Sequence, residues 1–430
     1  MPDVVSGTAP ESTGSAVSAE VLALGERAKA AATVLAQAPG AVRDEALLSA
    51  ADLLEEATDS VLAANRDDVA NAEAAGTSAT LVDRLRLDHG RIGAMAAGIR
   101  NVAALADPVG QRVDGWVRPN GLVVERVRVP LGVVAIIYES RPNVTSDAFG
   151  LCLKSANAAF LRGSSAALQS NIAIAEALRE GVVKAGLPAD ALLLVTDIRH
   201  SAATEFMRLR SCIDCLIPRG GPALISSVLA NATVPYVIDG DGNCHVYVDA
   251  AADLDMAADI VANAKLSRPS VCNAAESLLV HRAVAETFLP RIVGCLGDVE
   301  LVGDAASRAI SPQIGPASDD DFSTEFLALK MSVAVVAGLD EAVSHINRHG
   351  TGHSEAIVTG NLAAAQEFTR RVDAAAVLVN ASTRFVDGEE FGFGAEIGIS
   401  TQKLHARGPM GLTQLTTTKF VVTGQGHTRG

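Results

Sequence analysis

The sequence predicts an α/β fold built on parallel β-sheets, with a β-hairpin attached to it. From Leu131 onward, short apolar runs alternate with helical patterns, as expected for repeated strand–helix units. A second series of the same kind extends from about residue 243 to residue 379. Between the first helices and the first buried strand, residues 107–130 have a strand–turn–strand pattern instead.

Composition narrows the classes of protein to consider. The chain has 430 residues, more than one ordinary hydrophobic core accommodates, so we expect two or three domains. Its net charge of −15 argues against nucleic acid or an anionic membrane as the main partner. No apolar stretch reaches the roughly 18 residues of a membrane span. Neither a signal peptide nor a disulfide framework is recognisable, so we expect a cytoplasmic protein.

The N-terminal quarter is predicted to be helical after an unstructured beginning. Residues 1–16 are rich in Ser, Thr, Gly and Pro without periodicity, which predicts a disordered tail. Ser18 can cap a helix that runs to about Ala36. Further helical patterns cover residues 42–58, 60–75, 79–85 and 91–106.

The hairpin prediction depends on one turn. Apolar residues from Val113 to Val117 precede Pro119-Asn120-Gly121, and an alternating run from Leu122 to Val129 follows it. Asn-Gly between two such runs is typical of a tight β-hairpin turn.

The first α/β series consists of strands with continuous apolar character. Strands buried on both faces predict a parallel, doubly wound sheet, the architecture that binds dinucleotides at the carboxyl ends of its strands. The predicted strands are 133–138, 158–161, 191–195, 213–217 and 234–238, and the predicted helices are 145–155, 166–184, 201–209 and 223–229.

Two strand–helix turns are candidates for phosphate binding. Residues 162–165 and 219–221 each combine an Arg with Gly or Ser where a strand meets a helix, so free N–H groups can face an anion. Tight turns with an exposed Arg are the alternative interpretation. The Gly-x-Gly pairs at 240–242 and 350–352 lack the third glycine of a dinucleotide fingerprint and are weak signals.

Cys272 is the candidate nucleophile. It follows Pro269 and precedes a predicted buried strand, 277–280, so its thiol lies at a turn where backbone N–H groups can face an oxyanion. Thiolate attack on a carbonyl leads to hydrolysis, acyl transfer, or redox chemistry through a thioester. A small buried side chain is the alternative, as for the five other cysteines, which are Cys152, Cys212, Cys215, Cys244 and Cys295.

Asn143 stands close to the carboxyl end of the predicted strand 133–138, where α/β proteins bind ligands. Two interpretations of its side chain remain open. It can cap the following helix, or its amide can donate a hydrogen bond to an oxyanion.

No metal site is expected. Cys212 and Cys215 have a Cys-x-x-Cys spacing, but the predicted strand 212–218 points them to opposite faces, and no second pair follows. His349 and His353 are separated by glycines that disfavour the helix on which such a pair would share a metal.

Seven segments, in order along the chain, closely resemble the γ-glutamyl phosphate reductases, a family of the aldehyde dehydrogenase superfamily. The resemblance runs from about residue 18 to residue 426. The segments are 138–144, 217–221, 240–249, 268–273, 350–357, 379–385 and 394–412.

The resemblance implies an aldehyde dehydrogenase-like fold and a specific reaction. The reaction is the NADPH-dependent reduction of L-glutamyl 5-phosphate to L-glutamate 5-semialdehyde with release of phosphate, the second step of proline biosynthesis. A homodimer or homotetramer is implied, with glutamate 5-kinase as a candidate partner. The implied parts are a Rossmann-type cofactor domain (17–106 and 129–242), a catalytic domain (243–380), an oligomerisation element (107–128 and 412–426) and a site-closing loop region (381–411).

The resemblance also implies roles for individual residues. Cys272 matches the nucleophile and Asn143 the oxyanion donor, and Glu325 matches the carboxylate that holds the nicotinamide ribose. Ser164 departs from the usual glycine, and Ser267 from an expected glutamine. Further candidate cofactor contacts are Arg162, Gly163, Ser164, Ser165, Arg219, Gly220 and Gly221. Candidate cations for the substrate's carboxylate and phosphate are Arg141, Arg268, Arg384 and Lys403.

Three other functions compete with this one. A general aldehyde dehydrogenase would activate water with a Glu, but the matching segment 239–244 has none, and Asp239 and Asp241 remain candidate substitutes. A cysteine hydrolase or acyltransferase would need a histidine base beside Cys272. A catalytically silent subunit of a kinase complex would not need Cys272 and Asn143.

Overall fold

The computed structural model describes residues 19–429, so the predicted disordered tail, 1–16, and the predicted Ser18 cap lie outside the described residues. The helices within this range are α1 Ala19–Leu35, α2 Gly40–Glu56, α3 Thr58–Ala74, α4 Ala79–Leu85, α5 His89–Ala104, α6 Asn143–Lys154, α7 Leu168–Lys184, α8 His200–Phe206, α9 Pro222–Asn231, α10 Leu254–Leu266, α11 Arg282–Leu296, α12 Ala305–Ile310, α13 Leu339–His349 and α14 Leu362–Arg371. Each is too short or too polar to cross a lipid bilayer.

The strands of residues 19–429 form three larger sheets and one two-stranded pair. They are β1 Arg112–Val117, β2 Val123–Pro130, β3 Val133–Tyr138, β4 Ala158–Arg162, β5 Leu192–Leu194, β6 Cys215–Arg219, β7 Cys244–Val248, β8 Ala275–His281, β9 Glu300–Gly303, β10 Gly315–Pro316, β11 Lys330–Val336, β12 Ser354–Val358, β13 Ala376–Val379, β14 Ile399–Ser400, β15 Gly408–Pro409 and β16 Thr416–Thr423.

The first sheet is parallel, with the order β5-β4-β3-β6. All residues of β3 and β4 are buried, because the strands are covered on both faces by helices, as their continuous apolar character predicts. The predicted strand 234–238 is wrong: Tyr236 forms only an isolated bridge to Leu216. Pro235 has no N–H with which to extend a ladder, and the chain turns away so that Asp239 bridges Ser400.

The second sheet is also parallel and has the order β10-β9-β11-β8-β7-β12-β13. Separate apolar clusters cover its two faces. The repeated strand–helix pattern predicted for residues 243–379 is therefore confirmed. Strand β8 contains the predicted strand 277–280 and begins three residues after Cys272.

The predicted hairpin is confirmed. β1 and β2 pair antiparallel, and the N–H of Gly121 donates to the carbonyl of Arg118 in the turn between them. The C-terminal strand β16 pairs antiparallel with the other side of β2, so the hairpin belongs to a three-stranded sheet. Trp116 and Phe420 on this sheet expose large apolar side chains.

The predicted strand 212–218 begins later than expected. Cys212 lies in a turn, where its N–H donates to Leu209, and only Cys215 belongs to β6. The Cys212 side chain packs against Gly25 of α1. The two cysteines therefore do not share a strand, and the argument that their side chains alternate across one does not apply.

Candidate active site

Cys272 lies, half-buried, in the turn between α10 and β8. The buried thiol of Cys244 donates to the Cys272 carbonyl with a separation of 3.1 Å. A Cβ added to Gly242 would lie 1.5 Å from the same oxygen, so only glycine lets the segment before β7 approach the nucleophile this closely.

Residues 383–386 support the nucleophile turn from the other side. The buried amide of Asn273 donates to the Val386 carbonyl at 3.0 Å, and the Thr383 hydroxyl donates to the Asn273 carbonyl at 2.7 Å. The Arg384 guanidinium donates to the Asn273 side chain and, at 3.2 Å, to Ser267. This places Arg384, a predicted substrate contact, directly beside the nucleophile turn.

Burial is the main cause that raises the pKa of the Cys272 thiol to about 12. The negative charges of Asp239, Glu325 and Glu396 contribute to this rise, and the Arg219 guanidinium opposes it. A group in these surroundings is a neutral thiol at pH 7. The active site must therefore remove its proton during the attack.

Arg219 and Asp239 form an ion pair near the nucleophile. Asp239 also accepts a hydrogen bond from the Ile399 N–H at 2.7 Å. Both of its oxygens are thus engaged, which disfavours Asp239 as the water-activating base that the sequence left open. The Arg219 side chain, predicted as a cofactor contact, is engaged with this carboxylate.

Asn143 is the first residue of α6, and the capping position is occupied by Pro142. The interpretation of Asn143 as a helix cap is therefore wrong. Its amide donates instead to the Asp147 carboxylate, one helical turn further on, at 2.9 Å. The amide has two N–H groups, so the second can serve an oxyanion.

A cavity of about 180 Å³ adjoins this helix and carries three carboxylates, those of Asp147, Glu389 and Glu396. Burial raises the pKa of Asp147 to about 6 and that of Glu396 to about 7. The Glu396 Oε2 atom is buried and has no hydrogen-bond partner among residues 19–429. The sequence predicts only cations as substrate contacts, so this acidic cavity is not among the predicted site residues. The spacing of four residues from Asn143 to Asp147 could have indicated it.

The two predicted phosphate-binding turns lie at one edge of the first sheet, because Arg162 and Arg219 end the parallel strands β4 and β6 on either side of β3. At the first turn, a Cβ on Gly163 would lie 2.3 Å from the Asn171 amide. The Ser164 hydroxyl is 3.2 Å from that of Ser140. Ser165 begins the short 3₁₀ turn that leads into α7.

The second turn is equally tight. A Cβ on Gly220 would lie 2.6 Å from the Glu139 side chain, and the Gly221 N–H donates to the same carboxylate at 3.2 Å. At the first turn, the buried Nε of Arg162 lacks a hydrogen-bond partner within the described range. The other end of the Arg162 guanidinium donates to the Arg199 carbonyl at 3.0 Å. Small turns, hydroxyls and a guanidinium with one free N–H at the carboxyl edge of a parallel sheet fit a dinucleotide phosphate.

Glu325 contacts the segment that packs on the nucleophile. Its Oε1 atom accepts a hydrogen bond from the Gly242 N–H at 2.8 Å. Burial raises the pKa of its carboxyl. Gly242 therefore links Glu325, which is implied to hold the nicotinamide ribose, to the backbone of Cys272.

The remaining predicted cations differ in their surroundings. Arg141 and Arg268 are exposed, and within residues 19–429 their side chains have no hydrogen-bond or ion-pair partner. Lys403 instead forms an ion pair with Asp373, which also binds Arg407. The structure thus does not present Lys403 as a free cation.

No histidine of the described part of the chain hydrogen-bonds the Cys272 thiol, as a cysteine hydrolase would require. His353 lies 3.8 Å from the Cys244 sulfur instead. Residues 19–429 also contain no group of three or more His, Cys, Asp and Glu side chains arranged to hold a metal ion.

Two parallel sheets, a half-buried cysteine in the turn before β8 and a hairpin sheet define an enzyme of the aldehyde dehydrogenase type. The aldehyde dehydrogenase family model matches residues 5–329. A γ-glutamyl phosphate reductase from Clostridium botulinum (strain Alaska E43 / Type E3) is 52% identical over 412 residues, which are 95% of this chain and 100% of that protein. The chain therefore belongs to the aldehyde dehydrogenase family and, within it, to the γ-glutamyl phosphate reductases.

Solved structures agree with this assignment. A crystal structure of the γ-glutamyl phosphate reductase from Thermotoga maritima has a TM-score of 0.94 and 48% identity, and the match covers 96% of this chain and 100% of that one. An acetylating aldehyde dehydrogenase from Geobacillus thermoglucosidasius has a TM-score of 0.67 at 19% identity, covering 96% and 98%, and shares the fold.

Proposed function

We propose that this protein reduces L-glutamyl 5-phosphate to L-glutamate 5-semialdehyde with NADPH and releases phosphate, as the second step of proline biosynthesis. The observation that carries the proposal is the placement of Cys272 in a tightly supported turn, in a chain that resembles γ-glutamyl phosphate reductases over nearly its whole length.

The first chemical step is acyl transfer to Cys272. Its sulfur attacks the acyl carbon, the C–O bond to phosphate breaks, and the thiol proton leaves with the phosphate. The Asn143 amide and the Cys272 N–H stabilise the oxyanion. NADPH, when bound, supplies the hydride that reduces the thioester. The C–S bond then breaks, which releases the aldehyde, and the sulfur takes up a proton from solvent to restore the Cys272 thiol.

The surroundings of the nucleophile favour phosphate over water as the partner of the thioester in the reverse direction. Asp239 is ion-paired with Arg219 and bonded by Ile399, so it is a poor base for water. Asp241 is exposed, and within residues 19–429 its side chain makes no hydrogen bond or ion pair that would aim it at the thioester.

The direct test runs the reaction in reverse. We expect the purified protein to form NADPH from NADP⁺ and glutamate semialdehyde only when inorganic phosphate is added. Arsenate should replace phosphate, because it also attacks thioesters. Turnover that is independent of phosphate would contradict the proposal and assign an ordinary aldehyde dehydrogenase.

The proposal names NADPH rather than NADH. The Arg162 Nε has no hydrogen-bond partner among residues 19–429, and the Ser140 and Ser164 hydroxyls are 3.2 Å apart. We assign these groups to the adenosine ribose and its phosphate, following the resemblance of residues 162–165 to the superfamily. Gly163, Ser165, Gly220 and Gly221 supply the close backbone turns, and Glu325 holds the nicotinamide ribose.

The substrate carries an α-ammonium as well as anionic groups. We assign the ammonium to the acidic cavity formed by Asp147, Glu389 and Glu396, since carboxylates in a confined space favour a cation. Arg141, Arg268 and Arg384 are assigned to the carboxylate and phosphate. Lys403 could contribute only after it leaves Asp373.

The ammonium assignment predicts the effect of Asp147→Asn. Asparagine keeps an oxygen that can accept the bond from Asn143 but removes the charge, so KM for glutamate semialdehyde should rise about tenfold to a hundredfold. With 5-oxopentanoate, which lacks the amino group, the variant and the wild type should differ by less than about twofold. Equal losses with both aldehydes would refute the assignment. Glu390→Gln, at an exposed neighbouring carboxylate, is the matched control.

We also propose that the sheet of β1, β2 and β16 mediates the formation of a homodimer or homotetramer. Its exposed Trp116 and Phe420 rings are 6.2 Å apart and offer a rigid apolar face. Glutamate 5-kinase is the proposed source of the acyl phosphate and a candidate partner, since acyl phosphates hydrolyse readily in water.

A further inference from the structure

A fully buried ion pair lies beneath the nucleophile turn. The Lys265 Nζ and Glu276 Oε2 atoms are 2.6 Å apart, and both side chains are completely inaccessible to solvent. Lys265 lies in the last turn of α10 and Glu276 lies in β8, so the pair joins the two elements that flank Cys272. Burying two charges costs free energy, and apolar replacement of such pairs is often neutral for stability. Stability alone therefore does not explain this pair.

Glu276 has a second contact that points to its role. Its other oxygen, Oε1, accepts a hydrogen bond from the backbone N–H of Leu327 at 3.2 Å. Leu327 has φ of +52°, in the left-handed region that disfavours a leucine. The Leu327 side chain is 41% exposed, so packing holds this conformation poorly. The hydrogen bond from its N–H to Glu276 therefore restrains Leu327 in this strained conformation.

Leu327 lies two residues after Glu325. The Glu325 carboxylate accepts the Gly242 N–H at 2.8 Å, and Gly242 packs against the Cys272 carbonyl. The segment 325–327 is thus fixed at two points, on either side of Phe326. The first is the hydrogen bond between Glu325 and Gly242, which also packs against the nucleophile turn. The second is the hydrogen bond between Leu327 and Glu276.

We propose that Glu276, oriented by Lys265, is a positioning residue that fixes the Leu327 backbone and thereby aims Glu325 at the nicotinamide ribose. The inference rests on the proposed function, in which Glu325 contacts the dinucleotide. Glu276 does not touch the cofactor itself. Lys265 keeps one oxygen of the carboxylate engaged, so that the other faces Leu327.

Two double variants separate the backbone contact from the buried charges. Lys265→Met/Glu276→Gln removes both charges but keeps an oxygen that can accept from Leu327. Lys265→Met/Glu276→Leu removes the acceptor as well. We expect the first to bind NADPH within about twofold of the wild type and the second about tenfold more weakly, as for one lost buried hydrogen bond. Isothermal titration calorimetry measures both, without turnover.

A mutant cycle with Glu325→Ala decides whether the effect passes through Glu325. In the Glu325→Ala background, adding Lys265→Met/Glu276→Leu should weaken NADPH binding by no more than about twofold, because the Glu325 carboxylate that Glu276 positions is already absent. Independent, multiplicative losses would overturn the proposal. KM for glutamate semialdehyde should remain within about twofold of wild type in both double variants, which a general structural defect would not produce.

Folding and the proposed function are checked separately. Thermal unfolding identifies a variant that fails to fold, and Lys265→Met/Glu276→Met then replaces the leucine variant, since methionine adapts to irregular space. Equal NADPH affinity of the two double variants overturns this inference alone. NADPH binding without phosphate-dependent turnover of the wild type overturns the proposed reaction alone.

Discussion

Replacing Cys272 by alanine is expected to reduce phosphate-dependent NADPH formation by about 10⁴-fold or more, because no thioester can form without the nucleophile. NADPH binding, measured by calorimetry, should stay within about threefold of the wild type, since the cofactor turns lie on the other sheet. The matched control is Cys295→Ala, which removes an exposed thiol of α11. That variant should keep full activity. Substantial turnover by Cys272→Ala would refute the thioester.

The raised pKa of Cys272 adds a prediction about pH. With a pKa near 12, the thiolate fraction rises about tenfold with each pH unit over the range from 7 to 9. In the Cys295→Ala background, iodoacetamide should alkylate Cys272 with that slope. A rate that levels off above pH 8 would show an ordinary thiol pKa. Mass spectrometry of the modified peptide identifies the site.

Much of the fold could be predicted from the sequence because local patterns determine it. Continuous apolar runs identified the parallel strands, and Asn120-Gly121 identified the hairpin turn. The predicted strand at 234–238 failed for a reason that the apolar pattern does not contain: Pro235 and the bridge from Asp239 to Ser400 end the pairing. Strand length there depends on a contact with a segment about 160 residues away.

The site was only partly predictable for the same reason. Cys272 and Asn143 stand in motifs that can be recognised locally. The acidic cavity joins Asp147 with Glu396, which are distant in sequence. The contact from Glu276 to Leu327 spans 51 residues and has no sequence signature. Lys403 matched a motif, yet its engagement with Asp373 is visible only in three dimensions.

Asn143→Ala is expected to lower kcat about 10²–10³-fold, the usual cost of losing one oxyanion donor. KM for glutamate semialdehyde should change little, because the amide acts on charge that develops only in the transition state. Single-turnover measurements should place the loss in thioester formation. A variant with normal kcat would remove Asn143 from the chemistry.

The contact between Asn143 and Asp147 makes a second substitution informative. Asn143→Asp keeps the size of the side chain but replaces the donor with a carboxylate, close to the Asp147 oxygen that accepts at 2.9 Å in the wild type. Repulsion between the two carboxylates, and between the new charge and the oxyanion, should make kcat at pH 8 as low as that of Asn143→Ala or lower. At pH 5.5 the new carboxyl can take up a proton and donate it as a hydrogen bond, so activity should recover relative to Asn143→Ala. Both variants remove the amide donor from the start of α6, but only Asn143→Asp adds a charge that pH can change. A difference between their kcat values that depends on pH would therefore indicate an electrostatic role in the reaction rather than a role in helix folding. Identical pH profiles of the two variants would argue that the amide acts on structure alone.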